Sequence, residues 1–255
     1  MQYLTSVQRA LSVFDLFSRE HAELSLAEIS RHMDVHKSSV LRILATLESA
    51  GLLAKDGRSG RYRLGLKILE LAGQVLGGYD LRSVAAPYME ELARRSGEII
   101  HLAIRDRDHL VYLDKKGQGQ VLTVATRIGG RHPAYASAMG KVLLAGLDAR
   151  ESAALIGDVP LPALTPQTIT EPAALAAELA RVRAQGFAVD HEESFPGISC
   201  VAAPIRARGG QVVAAISVTV PTSRMGETRR EQLRAMVMET AQAISSQSSG
   251  EEMVE

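Results

Sequence analysis

Long apolar runs are missing from this sequence. No stretch approaches about eighteen uninterrupted apolar residues, so no helix is expected to span a membrane. The start, MQYLTSVQRALSVFDLFSREHAEL, lacks both a basic opening before an apolar run and a small-residue cleavage site, so no secretory leader is expected. Cysteine occurs once, at Cys200, which excludes an intrachain disulfide and suits a reducing compartment. Net charge is absent too: 29 basic residues balance 29 acidic ones, so whole-chain charge points to neither nucleic acid nor membrane. Any electrostatic argument has to be local. These absences lead to the expectation of a cytoplasmic protein with no membrane partner. What is present is apolar content of 46%, enough for real cores, in 255 residues, a length that suits two domains.

The first sixty-odd residues read as short helices followed by a hairpin. Thr5 or Ser6 can cap a helix with the stripe Val7, Ala10, Leu11, Phe14 and Phe17. Ser25 and Glu28 have capping-box spacing, which opens a second helix from Leu26 to about Met33. After a tight turn at Asp34-Val35, a third helix runs from His36 to about Ala50 and stops at Gly51. Its apolar stripe is Val40, Ile43, Leu44 and Leu47. Leu52–Lys55 and Tyr62–Leu64 flank Asp56-Gly57-Arg58-Ser59-Gly60, which has hairpin-loop composition.

Helix, tight turn, helix and basic hairpin form the order of a winged helix-turn-helix. Between Arg31 and Lys67 there are eight basic residues against three acidic ones, a formal +5 in a neutral chain. Such a segment displaces counterions from double-stranded DNA and gains affinity without reading sequence. Lys37, Ser38, Ser39 and Arg42 form the polar N-terminal end of the third helix. Ser38, Ser39 and Arg42 lie opposite the apolar stripe, able to reach base edges in a major groove. Arg58 and Arg61 in the hairpin are expected along phosphate or in the minor groove. The bland alternative is a solvated helix face, since charged faces are common on helices.

A helix from Leu66 to Leu76, with stripe Leu66, Leu69, Ala72 and Val75, ends at Gly77-Gly78. Beyond it, helix Leu81–Arg95 precedes strands Ile99–Ile104, His109–Leu113 and Val121–Ala125. Helices follow at Tyr135–Leu144, Ala149–Ile156 and Ala173–Gln185. Strands return at Phe187–His191, Cys200–Arg206 and Val212–Val220, and a helix from about Arg229 to Ser245 closes the region. This mixture predicts α/β or α+β architecture around one sheet. The expected division is residues 1–65 for DNA binding, 66–80 for a linker helix, 81–248 for a second domain, and 249–255 for a tail.

The segments SVQRALSVFDLFS, LSLAEISRHMDVHKSSVLRILATLESAGLL and RYRLGLKILELAG resemble the N-terminal module of IclR-family transcriptional regulators. PAYASAMGKVLLAGL at 133–147, FAVDHEESFPGISCVAAPI at 187–205 and VVAAISVTVPTSRM at 212–225 are similar to that family's effector-domain signatures. The likeness covers nearly the whole chain in order. It implies an α+β chain: an N-terminal winged helix-turn-helix with a C-terminal GAF/profilin-like domain that binds a small carboxylic acid. It also implies a homodimer or dimer of dimers on a palindromic operator, acting as a repressor without a cofactor. One departure is Asp34-Val35-His36, where many members have Gly-Leu-Pro. A histidine there loses the fixed φ of proline and adds a group able to contact phosphate.

Carried over residue by residue, the resemblance implies an effector pocket lined by Val121, Val124, His132, Ala138, Met139, Asp190, Ile198, Cys200, Ser217 and Thr219. Ala138-Met139-Gly140 would lie near a helix start, where free N–H groups bind a carboxylate. Ser217 and Thr219 alternate along a strand and so share a face. His132, apolar in many relatives, either donates to a polar effector or caps a turn. Asp190 either accepts from an effector hydroxyl or is a solvated turn carboxylate. The rival reading is a thiol- or metal-dependent enzyme: Cys200 with His191 or His132, or a metal on Asp190, His191, Glu192 and Cys200. Against it, a free cysteine among strand residues is usually a small buried hydrophobe, and three adjacent strand residues alternate faces.

Overall fold

The computed structural model describes residues 3–18, 20–77, 80–117, 126–157 and 160–247. The chain divides into two compact units, 1–78 and 79–255.

Unit 1 opens with α1 (Thr5–Ser12) and a single 3-10 turn (Phe14–Leu16), then α2 (Leu26–Met33) and α3 (Lys37–Ser49). Strands β1 (Leu53–Lys55) and β2 (Tyr62–Leu64) pair antiparallel, Ala54 opposite Arg63, and α4 (Leu66–Gly77) follows. Its core is Val13, Leu24, Ile29, Val40, Leu44, Leu47, Leu53 and Tyr62. Ser25 caps α2 as its spacing predicts: its hydroxyl accepts from Glu28 N–H while the Glu28 carboxylate accepts from Ser25 N–H at 2.7 Å. Asp34, at φ 50°, turns the chain out of α2.

Neither Thr5 nor Ser6 caps α1, because Leu4 holds the N-cap position and no side chain closes it. The α1 stripe is split as well. Ala10, Phe14 and Phe17 pack on the core, but Val7 and Leu11 are exposed, as are Leu66, Leu69 and Ala72 on α4.

Unit 2 begins with α5 (Asp80–Ser96), β3 (Ile99–Asp106), β4 (His109–Lys116) and β5 (Arg131–Pro133). After a 3-10 turn (Ala134–Ala136) come α6 (Ala138–Ala145), α7 (Ala149–Ile156) and α8 (Pro172–Gln185). Strands β6 (Ala188–His191), β7 (Ile198–Arg206) and β8 (Val212–Pro221) and helix α9 (Glu227–Gln247) complete it. Among the described residues of this unit six strands form one antiparallel sheet in the order β5-β4-β3-β8-β7-β6. Side chains alternate faces along each strand, and this assigns them to two cores. Ala103, Ala202 and Ala215 pack beneath α6 and α8. Their neighbours Leu102, Ala203 and Ile216 are equally buried, and α5 and α9 pack on the sheet as well. No helix among the described residues is long and apolar enough to cross a membrane.

The predicted helix Tyr135–Leu144 is broken. Ser137 is extended (φ −141°, ψ 152°), and its hydroxyl caps α6 by accepting from Gly140 N–H at 3.1 Å. Gly140 is required there, because a Cβ would lie 2.0 Å from the Ala134 carbonyl oxygen. Strand β5 was not predicted; three residues ending in proline carry little signal and suit only a sheet edge. The expected strand Val121–Ala125 and tail 249–255 lie outside the described residues.

Candidate nucleic-acid interface and effector pocket

On α3 the burial follows the predicted period. Val40, Leu44 and Leu47 are buried and Ile43 partly so, while Lys37, Ser38, Ser39 and Arg42 are exposed together. His36 is the N-cap, and its Nδ1 lies 2.9 Å from Ser38 Oγ and 3.4 Å from Ser38 N. The histidine that replaces proline therefore closes the helix start with its ring. In the hairpin, Asp56 Oδ1 accepts from the N–H groups of Arg58 and Ser59 and from the Ser59 hydroxyl, leaving Arg58 exposed. These hydrogen bonds hold the Asp56 carboxyl below its ordinary range.

Arg61, expected along phosphate or in the minor groove, is tethered within unit 1. Its guanidinium turns back to Glu28 at 2.9 Å and donates to the Glu23 carbonyl at 3.0 Å, tying the hairpin to α2. Glu28, held mainly by Ser25 N–H and the Ser25 hydroxyl with help from Arg61, has its pKa lowered to about 2.

In unit 2 a small cavity of about 30 Å³ lies between α6, the sheet and the loop after β6. Of the expected lining, Ala138, Met139, Asp190, Ile198, Cys200, Ser217 and Thr219 do meet there. Val121 and Val124 lie outside the described residues. His132 does not line it. It sits in the adjoining groove, with Nε2 3.0 Å from Ser194 Oγ and its ring stacked on Phe195. Burial lowers its pKa to about 4, so it is neutral.

Sequence reasoning missed His101, Tyr112, Thr126, Ser137, Ser194 and Phe195, which complete the lining. His101 had a signal: it is a polar residue at an inward position of an apolar strand. Its Nδ1 lies 3.2 Å from Thr219 Oγ1 and its Nε2 2.9 Å from Thr126 Oγ1. Burial lowers its pKa to about 3, so it too is neutral. Ser217 Oγ is buried without a hydrogen-bond partner among the described residues.

Asp190 is no solvated turn residue. It is 1% exposed, accepts from Glu193 N–H at 2.7 Å, and has its pKa raised to about 7, mainly by burial. Beside it Lys141, 1% exposed, reaches Glu193 at 2.6 Å, the Val189 carbonyl at 2.7 Å and Glu178 at 3.6 Å. Cys200 is half-buried as a residue, but its thiol is enclosed, and burial pushes its pKa far up. Its sulfur lies 3.3 Å from Thr219 Oγ1 and is held by no histidine, so the site does not hold the thiolate a nucleophile needs. His191 pairs instead with Ser199, at 3.3 Å.

Two family models match. Residues 6–57 fit the IclR helix-turn-helix domain, and residues 73–246 fit the C-terminal domain of the bacterial transcriptional regulator IclR. The chain is 37% identical to the HTH-type transcriptional regulator XynR of Escherichia coli K12, over 96% of this chain and 97% of that one. It is 38% identical to KdgR of the same organism, over 95% and 93%. Among solved structures, a transcriptional regulator from Rhodococcus sp. RHA1 aligns at TM-score 0.82 and 32% identity, covering 96% and 98%. An IclR homologue from Microbacterium hydrocarbonoxydans complexed with 4-hydroxybenzoate aligns at 0.83 and 27%, covering 96% and 99%.

Proposed function

The chain belongs to the IclR family of bacterial transcriptional regulators, and from that premise we propose a repressor whose hold on a palindromic operator is set by a small organic acid in the unit 2 cavity. DNA-binding regulation follows from the family, whose members matched here are regulators and not enzymes. Ser38, Ser39 and Arg42 read base edges, Lys37 and Arg58 contact phosphate, and Arg61 sets the hairpin's position. The exposed apolar residues Val7, Leu11, Leu66 and Leu69 of unit 1 support a homodimer. The effector alters how subunits pack, and α4 passes that change to the spacing of two DNA-binding heads, which must match two half-sites.

The observation that carries the sensing half is the chemistry of the cavity. A capped helix start, Ser217 without a partner and a buried carboxylate converge where a structural core would hold only apolar groups. The relative complexed with 4-hydroxybenzoate supports a carboxylic acid as the ligand. A gel shift against DNA from around the protein's own gene, at two salt concentrations, tests the whole. A discrete band should survive excess unrelated DNA, weaken as salt rises, and respond to a panel of small carboxylic acids. No specific band at low salt, with or without acids, defeats the reading. Linkage adds that effector and operator must weaken each other by the same factor, which calorimetry with and without operator checks.

A further inference from the structure

We propose that the cavity takes its acid as an anion together with one proton, and that Asp190 carries that proton. The inference rests on the effector-pocket reading above and concerns what that pocket demands of its ligand. Three donors face the cavity. Ser137 caps Gly140, so the N–H groups of Ala138 and Met139 remain to act outward from the start of the eight-residue helix α6. The third is the Ser217 hydroxyl, 1% exposed and without a partner. A carboxylate anion fits these donors. An ionised Asp190 lining the same small space would repel it, with little room for screening water.

The geometry of the cavity places the proton on Asp190. Its carboxyl is 1% exposed and lines the same small space as the three donors, so an ionised Asp190 would set a like charge against the bound carboxylate, and one proton removes that clash. Ser194, also in the lining, donates to the Ala136 carbonyl and lies 3.0 Å from His132 Nε2.

Burial, with the neighbouring Glu193 carboxylate, favours that state and outweighs the Glu193 N–H and Lys141, which oppose it. Glu193 follows it in the loop, and its N–H binds the carboxyl. Lys141 of α6 is the nearby cation, but Glu193 and Glu178 of α8 already occupy it. Cys200 of β7 is paired directly opposite, and burial keeps its thiol protonated. Tyr112 of β4 is likewise pushed up, and His101 of β3 is neutral. Asp190 is thus the lining group that changes charge near neutrality. An arriving anion raises its proton affinity further, so binding above neutrality takes up a proton. Below neutrality the proton is already in place and no uptake occurs.

A thermal-shift panel of monocarboxylates, from formate and glycolate to 4-hydroxybenzoate, first finds a binder for the full-length protein. Calorimetry at pH 6 and pH 8, in phosphate and in Tris, then reads affinity and proton uptake. Simple carboxylic acids are ionised at both pH values, so the ligand itself contributes no pH dependence. The expected result is binding about tenfold weaker at pH 8, with uptake approaching one proton there. Asp190→Asn, an isostere that still accepts from Glu193 N–H, should bind equally at both pH values. If that variant does not fold, the two-buffer comparison on the unmodified protein decides alone. Equal affinity and no uptake at both pH values overturn the proton proposal and leave the pocket standing. No binding by any acid at either pH overturns the pocket reading and the proposal with it.

Discussion

Replacing Lys141 with methionine removes the cation that Glu193 and Glu178 share. Lys141 is 1% exposed and bonded to Glu193 at 2.6 Å, with Glu178 at 3.6 Å and Asp190 nearby. Methionine keeps much of the side-chain volume, so the loss is mainly electrostatic. Breaking a buried pair from one side costs about 3–5 kcal/mol, because the remaining charge is stranded. For a unit of this size that is a fall in Tm of roughly 6–20 °C. Glu193→Gln should cost less, since Lys141 then keeps Glu178 and the Val189 carbonyl. Urea unfolding of both variants, followed by circular dichroism, measures the two costs in the full chain. A loss below about 1 kcal/mol for Lys141→Met, in the range of a surface pair, would refute the buried-network reasoning. So would a larger loss for Glu193→Gln.

Three further outcomes are expected. Arg42→Ala should cut the preference for operator over unrelated DNA by about 1–3 kcal/mol in competition binding; equal weakening on both would reassign Arg42 to phosphate. The Glu28 carboxyl, lowered from 4.5 to about 2, stabilises the fold above pH 4.5, and that contribution is lost as pH falls toward 2. In Ser25→Ala an NMR titration should place its midpoint higher but still below 4.5, because the Ser25 N–H, the largest cause, remains. Gly140→Ala drives a Cβ into the Ala134 backbone and should destabilise unit 2 by about 1–3 kcal/mol in the same urea assay; a neutral result would mean that the 3-10 turn yields freely.

Much of what depends on neighbours along the chain was legible in the sequence itself, though the cap of α1 was not. The three-and-four spacing of Val40, Leu44 and Leu47 marks α3 and, by exclusion, its polar face, because a helix has one period and one buried side. Ser25 and Glu28 announce the start of α2 because both halves of a capping box lie within one turn. The interruption ahead of α6 was not legible: PAYASAMG reads as helical, and only the close approach of Gly140 to Ala134 shows why it breaks. Arg61 and Lys141 look like any other surface cation. One is turned back to Glu28, and the other is enclosed between α6, α8 and the loop after β6.

By itself, then, the sequence determined most of the helices and strands, though not β5 or the break ahead of α6, and the face of α3 that carries its polar end. These are properties of local periodicity and capping. Tertiary structure alone decided which side chains share the cavity. His101, Asp190, Cys200, Ser217 and Thr219 come from four strands, and Ser137, Ser194 and Phe195 from segments between regular elements. Only the strand register, with Cys200 opposite both Asp190 and Thr219 and His101 opposite Ser217, brings the strand residues to one place. Charge was decided there as well. The same carboxyl is an ordinary acid in water and a proton carrier once burial strips away its solvent.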